Sequence, residues 1–211
     1  MGGYLCPPIF MVSETERHPL KPFLPKVTRL LMLGSFPPAR RRWCMEFFYP
    51  NFTNDMWRIF GICFFNDKTH FVDERTKMFR KDLIENFLSD AGIGLYDTAT
   101  VVRRLKNTAS DKDLEIVEET DVKMLLQQLS ACNAVVTTGQ KATDVLCKQL
   151  GATTPSVGSF VETTFNGRTL RLYRMPSSSR AYPMRLEQKA TYYQTLFEGE
   201  QISAGASYKK S

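Results

Sequence analysis

Three short apolar runs, each adjoining a stretch with helical spacing, constrain this chain more than any other feature. Residues 27–33 (VTRLLML) end at Gly34, residues 93–96 follow an amphipathic stretch, and residues 134–137 lead through Gly139 into a helical pattern reaching Leu150. Runs of four to seven apolar residues bounded by glycine read as buried strands, and strands alternating with helices read as a parallel sheet. The expectation is an α/β fold, a three-layer α/β/α sandwich with a short, mainly parallel central sheet.

Further elements follow from periodicity and turn chemistry. Residues 74–90 carry Met78, Phe79, Leu83, Ile84, Phe87 and Leu88 at helical spacing and close at Ala91-Gly92, predicting one helix. Residues 114–129 show the same spacing and predict another. Residues 160–165 and 169–173 flank Asn166-Gly167, the dipeptide that most readily takes the positive φ values of a tight hairpin. A last helix over about 183–197 is predicted, with Leu186, Ala190, Tyr193 and Phe197 on one face. Residues 1–26, rich in proline and without periodicity, read as an extended lead-in to a single domain over 27–198, and residues 199–211 as a disordered tail.

With 211 residues, 43% of them hydrophobic, the chain can bury one sizeable core. Lys and Arg number 28 against 22 Asp and Glu, a net charge of +6 that biases the protein toward anionic partners such as nucleic acid. Five cysteines without a CxxC pair suggest neither a disulfide framework nor a zinc site, and no cofactor or metal is expected. No stretch of 18 apolar residues occurs and the first residues lack a basic n-region. A cytoplasmic monomer with no membrane association is the expectation.

In open parallel sheets ligands collect beyond the carboxyl ends of the strands. Loops 34–53, 97–112 and 175–182 would converge there. The first holds Gly34, Ser35, Phe36, Pro37 and then Phe48, Tyr49 and Asn54, which suits stacking and edge-reading of a flat polar ring. Asn54 also reads as the N-cap of a helix that turns Trp57 and Phe60 inward. The last loop is Met175-Pro176-Ser177-Ser178-Ser179.

Several separated segments resemble the uracil-DNA glycosylase superfamily, above all its mismatch-specific and hypoxanthine-type branches. Gly34-Ser-Phe-Pro37 resembles their Gly-x-x-Pro loop, and the run from Tyr49 through Asn54 to Trp57 resembles their Pro/Asn-rich segment ending Asn-x-Phe-Trp. Gly94-Leu-Tyr-Asp97 is similar to their Gly-Leu-Trp-Asp, Thr138-Gly-Gln-Lys-Ala142 to their Asn-Gly-x-x-Ala, and Met175-Pro-Ser-Ser-Ser179 to their Pro-Ser loop. Phe36 stands where the mismatch-specific branch has a water-positioning Asn. The two histidines, His18 and His70, lie outside these segments, so the branch that uses a first-loop Asp with a last-loop His matches poorly.

The resemblance implies base excision repair: hydrolysis of the N-glycosidic bond of a deaminated base, uracil first and hypoxanthine second, after the nucleotide swings out of damaged DNA. Stacking on Tyr49 and Phe48 would contribute about 1 to 3 kcal/mol toward unstacking. Backbone N–H groups near Ser35 and Tyr49 would bind the ring's carbonyl oxygens. Asn54 would hold the attacking water, with Asp97 in reserve; each also has a plain role as cap or turn residue. Ser177, Ser178 and Ser179 would meet phosphates while Ser179, Arg180 or Tyr182 fills the vacated space. Arg40, Arg41 and Arg42 offer phosphate contacts or simply a solvated face. The competing readings are a non-catalytic nucleic-acid-binding module with a vestigial base pocket and a small-molecule hydrolase using Ser177 or Ser35. The latter lacks a Gly-x-Ser-x-Gly elbow.

Overall fold

The computed structural model describes residues 14–105 and 113–205. In chain order they form β1 (Thr15–Arg17), β2 (Leu30–Gly34), a 3-10 turn (Arg40–Arg42), α1 (Met56–Phe65), β3 (Val72–Asp73), β4 (Met78–Phe79), α2 (Lys81–Ala91), β5 (Ile93–Asp97), β6 (Ala99–Arg104), β7 (Leu114–Glu119), α3 (Val122–Gln127), β8 (Ala134–Thr138), α4 (Gln140–Leu150), β9 (Ser159–Phe165), β10 (Arg168–Met175) and α5 (Leu186–Gly199). Residues 1–13, 106–112 and 206–211, on which parts of the expected lead-in, second loop and tail fall, lie outside the described residues.

The central sheet runs β5-β2-β8-β10-β9. Its first four strands are parallel and β9 is an antiparallel edge. Leu30, Leu31, Met32 and Leu33 are all 0% exposed, which requires cover on both faces of the sheet. α2 packs on β5, α4 on β8, and α1 on α5. This is the α/β/α sandwich that the strand and helix periodicities predict. Trp57, Phe60, Phe71, Phe87 and Phe197 fill the core beside it, with several ring pairs edge to face. Asn166 (φ 50°) and Gly167 (φ 76°) both take the left-handed conformation the β9-β10 hairpin needs.

Two helical expectations are corrected. Residues 74–80 form a turn and β4 instead of helix, because Asp73 Oδ1 accepts the N–H groups of Arg75 and Thr76 and Lys77 has positive φ. Only Lys81–Ala91 is helical. Residues 114–119 form β7, antiparallel to β6, and the helix is confined to Val122–Gln127 with Asp121 capping Met124 N–H. The β-branched Ile116 and Val117 favour the extended form, and β6 offers an open edge to pair with.

A second sheet, β1-β6-β7, grows from the end of β5. Only Thr98 separates β5 from β6, and Thr98 N–H donates to Gly34 O at 2.8 Å. β1 lines up against β6, so this stretch of the expected lead-in is a strand, delivering His18 to the carboxyl end of the main sheet.

Candidate functional site

The register of the parallel strands brings their last residues level. Gly34 pairs with Asp97, and Thr138 with Met175. Beyond these four residues lies a cavity of about 880 Å³, lined by the Gly34–Pro38 loop, the stretch from Phe48 to Asn54, the start of α4 and residues 177–183. Loops more than a hundred residues apart in the chain thus share one wall. Gly34, Ser35, Phe36, Pro37, Phe48, Tyr49, Asn54, Asp97, Ser177, Ser178, Ser179, Arg180 and Tyr182 all line it.

Asp97, the last residue of β5, is one of these lining residues. His18 Nε2 donates to Asp97 Oδ2 at 2.8 Å, and both side chains are buried. The other carboxylate oxygen, Oδ1, has no hydrogen-bond partner among the described residues and lies against Gly34, where an added Cβ would come within 2.2 Å of it. The glycine is therefore a space requirement of the carboxylate. Asp97 O accepts from Thr120 Oγ1 at 2.7 Å, which ties the strand end to the second sheet. The neighbouring phenol of Tyr96 is pushed up by burial and then by the Asp97 charge.

The aromatic wall is held by the 44–50 turn, closed by Cys44 N–H donating to Pro50 O at 2.9 Å. Tyr49 takes φ 49°, a left-handed conformation costing a non-glycine residue about 1 kcal/mol. Its OH lies 3.3 Å from Thr138 Oγ1, and its ring stands edge-on to Trp57. Trp57 Nε1 in turn donates to Phe48 O at 3.2 Å. Phe36 and Phe48 are almost fully covered and flank the His18 ring.

Asn54 Oδ1 accepts Met56 N–H at 2.9 Å, so its side-chain oxygen is engaged at the first turn of α1, the capping role read from the sequence, while Asp55 is the residue that flanks the helix. The Asn54 carbonyl accepts from Arg58, whose guanidinium lies over Phe52. Burial lowers the Arg58 pKa from its ordinary value.

The serine loop is anchored from beneath. Asp55 N–H donates to Ser178 O at 2.9 Å. Lys189 Nζ, wholly buried in α5, donates to Asp55 Oδ2 at 2.9 Å and to Ser179 O at 2.7 Å. Arg180 Nε lies 3.4 Å from Asp55 Oδ1. Ser177 and Ser179 hydroxyls accept the N–H groups of Ser179 and Ala181, so the bend is built from its own side chains.

Among the described residues, Arg42, Arg104, Lys141, Arg174 and Arg180 line the cavity against Asp97 and Asp144, a surface suited to a polyanion. Arg40 and Arg41 are not among its lining residues: Arg40 is paired with Glu46 and lies 4.2 Å over the Trp43 ring. The sequence reading missed His18, Asp55 and Lys189, and of the basic run 40–42 it offered, only Arg42 lines the cavity. A signal existed for Lys189, which falls on the buried face of α5 beside Ala190 and Tyr193 and there needs an acidic partner. No group of three or more His, Cys, Asp or Glu side chains that could hold a metal occurs among the described residues. No helix among them is long and apolar enough to cross a membrane.

No protein-family model matches the chain, and no curated protein matches it. Among solved structures it is similar to a solution NMR structure named "putative Uracil DNA glycosylase" from Methanosarcina acetivorans. The two share 19% identity and a TM-score of 0.60 over 89% of this chain and 99% of the other. The likeness shows the fold. At that identity it carries no residue roles across.

Proposed function

We propose that this protein is a DNA glycosylase of the uracil-DNA glycosylase superfamily, monofunctional, acting on a deaminated base in damaged DNA, uracil first and hypoxanthine second. One observation carries the reading: Asp97, with Oδ2 held by His18 and Oδ1 without a hydrogen-bond partner among the described residues, lines a cavity that also holds aromatic rings, arginines and a serine bend. The NMR structure's name and fold support it.

In this reading the flipped nucleotide enters between the Phe36–Tyr49 side and the serine loop, its base stacking on Tyr49, while the covered Phe48 backs that wall. Asp97 Oδ1 orients a water and takes its proton as the water oxygen bonds to the sugar carbon C1′. The C1′–N bond breaks with its electron pair going to the base, and backbone N–H groups around Ser35 and Tyr49 stabilise that anion. A proton then returns from Asp97 to the base or to solvent. Asn54, its Oδ1 committed to Met56 N–H, contributes its amide nitrogen and keeps the wall in place. Ser177, Ser178, Ser179, Arg180 and Tyr182 face the strand the base has left, with Arg42 and Arg174 nearer the phosphates.

Duplexes containing uracil or hypoxanthine, incubated with the protein and then treated with alkali, test this. Strand breaks at the lesion are expected. Tight binding without breaks would favour the non-catalytic module instead.

A further inference from the structure

We propose that His18 is a positioning residue for Asp97, so that a segment preceding the first core strand completes the site. The inference rests on the glycosylase reading and adds to it a residue from outside every loop that resembles the superfamily.

A carboxylate at a strand end can rotate about its side-chain bonds, and a water held by a rotating oxygen attacks in no fixed direction. Asp97, which lines the cavity, is held at Oδ2 by a buried imidazole nitrogen at 2.8 Å, and only Oδ1 is left without a hydrogen-bond partner among the described residues. The imidazole is itself fixed. Phe36, Phe48 and Tyr96 surround it at 5.2, 6.3 and 4.8 Å between ring centres.

At the opposite edge of the ring, Nδ1 lies 2.9 Å from Leu20 O and 3.2 Å from Leu20 N. A neutral ring protonated on Nε2 accepts the Leu20 N–H, and a cationic ring donates to the Leu20 carbonyl. Either state keeps the Nε2 proton on Asp97. The ring therefore keeps its hold on the carboxylate whatever charge it carries.

The segment bearing it is tied down independently. His18 N–H donates to Thr100 O at 2.8 Å, β1 pairs along β6, and Arg104 bridges Glu16 Oε1 (2.7 Å) and Pro37 O (2.8 Å). Arg104 thereby couples the His18 strand to the Gly34–Pro38 loop.

The test uses the full chain with a lesion-containing duplex. His18→Leu, which keeps apolar bulk but no donor, is expected to lower kcat about 100-fold, the scale of one misplaced general base. Affinity for the duplex is expected to stay within about threefold, since the residue acts on turnover rather than binding. His18→Gln, which retains an N–H donor, is expected to recover kcat to within about tenfold of wild type. In an Asp97→Asn background His18→Leu is expected to add less than about threefold, because the two act as a unit. Wild-type kcat in His18→Leu, or equal losses in both backgrounds, would overturn the proposal. Should His18→Leu fail to fold by thermal melting, a folded His18→Phe, which keeps an aromatic ring but no donor, takes its place: a loss of about 100-fold supports, kcat near wild type overturns. Absence of base release by wild type refutes the glycosylase reading and this inference with it, whereas release that ignores His18 refutes only the inference.

Discussion

Lys189 and Asp55 form an ion pair of 2.9 Å with both side chains out of solvent, and the same ammonium holds the carbonyl of Ser179. α5 thus reaches through the core to fasten the serine loop to the start of α1. Removing one partner leaves the other charged and buried, which costs about 3 to 5 kcal/mol. Lys189→Met is expected to lower denaturant stability by that amount, read by urea unfolding, and to expose the 177–182 loop to limited proteolysis.

Gly34→Ala tests the space needed by the carboxylate. A methyl 2.2 Å from Asp97 Oδ1 cannot be accommodated without turning the carboxylate away. Base release is expected to fall at least about tenfold while duplex affinity holds, as measured by single-turnover and equilibrium binding.

Asp97→Asn and Asn54→Ala separate the two candidates for holding water. Asp97→Asn is expected to reduce release about 100-fold or more with little change in melting temperature. Asn54→Ala removes the acceptor for Met56 N–H and is expected to cost about 1 kcal/mol of stability. A larger turnover loss from Asn54→Ala than from Asp97→Asn would reverse the assignment.

Arg42 is exposed on the cavity rim. Arg42→Gln is expected to weaken duplex binding regardless of the base present and to reduce the slope of log affinity against log salt by about 1.

Burial pushes the Cys63 thiol up to about 12 and the Cys132 thiol up to about 11. Both are protonated near neutral pH, and the reactive thiolate becomes appreciable only as pH climbs toward those values. Mass-spectrometric mapping after brief native alkylation at pH 8 is expected to find both unmodified, and after unfolding to find both labelled.

Short apolar runs bounded by glycine, such as 30–34 and 134–138, determined by themselves that this chain builds a parallel sheet, because burial on both faces leaves an unbroken apolar signature. The same local logic placed Gly34 and Asp97 at strand ends, Tyr49 and Ser177 in loops that follow strands, and so all four at one site. Residues 74–80 and 114–119 escaped it, since apolar spacing there is compatible with helix and an Asx turn or a neighbouring strand edge decides. What only the tertiary structure decided is which side chains meet: His18 on Asp97 across 79 positions, Lys189 on Asp55 across 134. A charged group records its need for a partner in its own burial, but which partner answers is set by strand order and register, and no local pattern carries that.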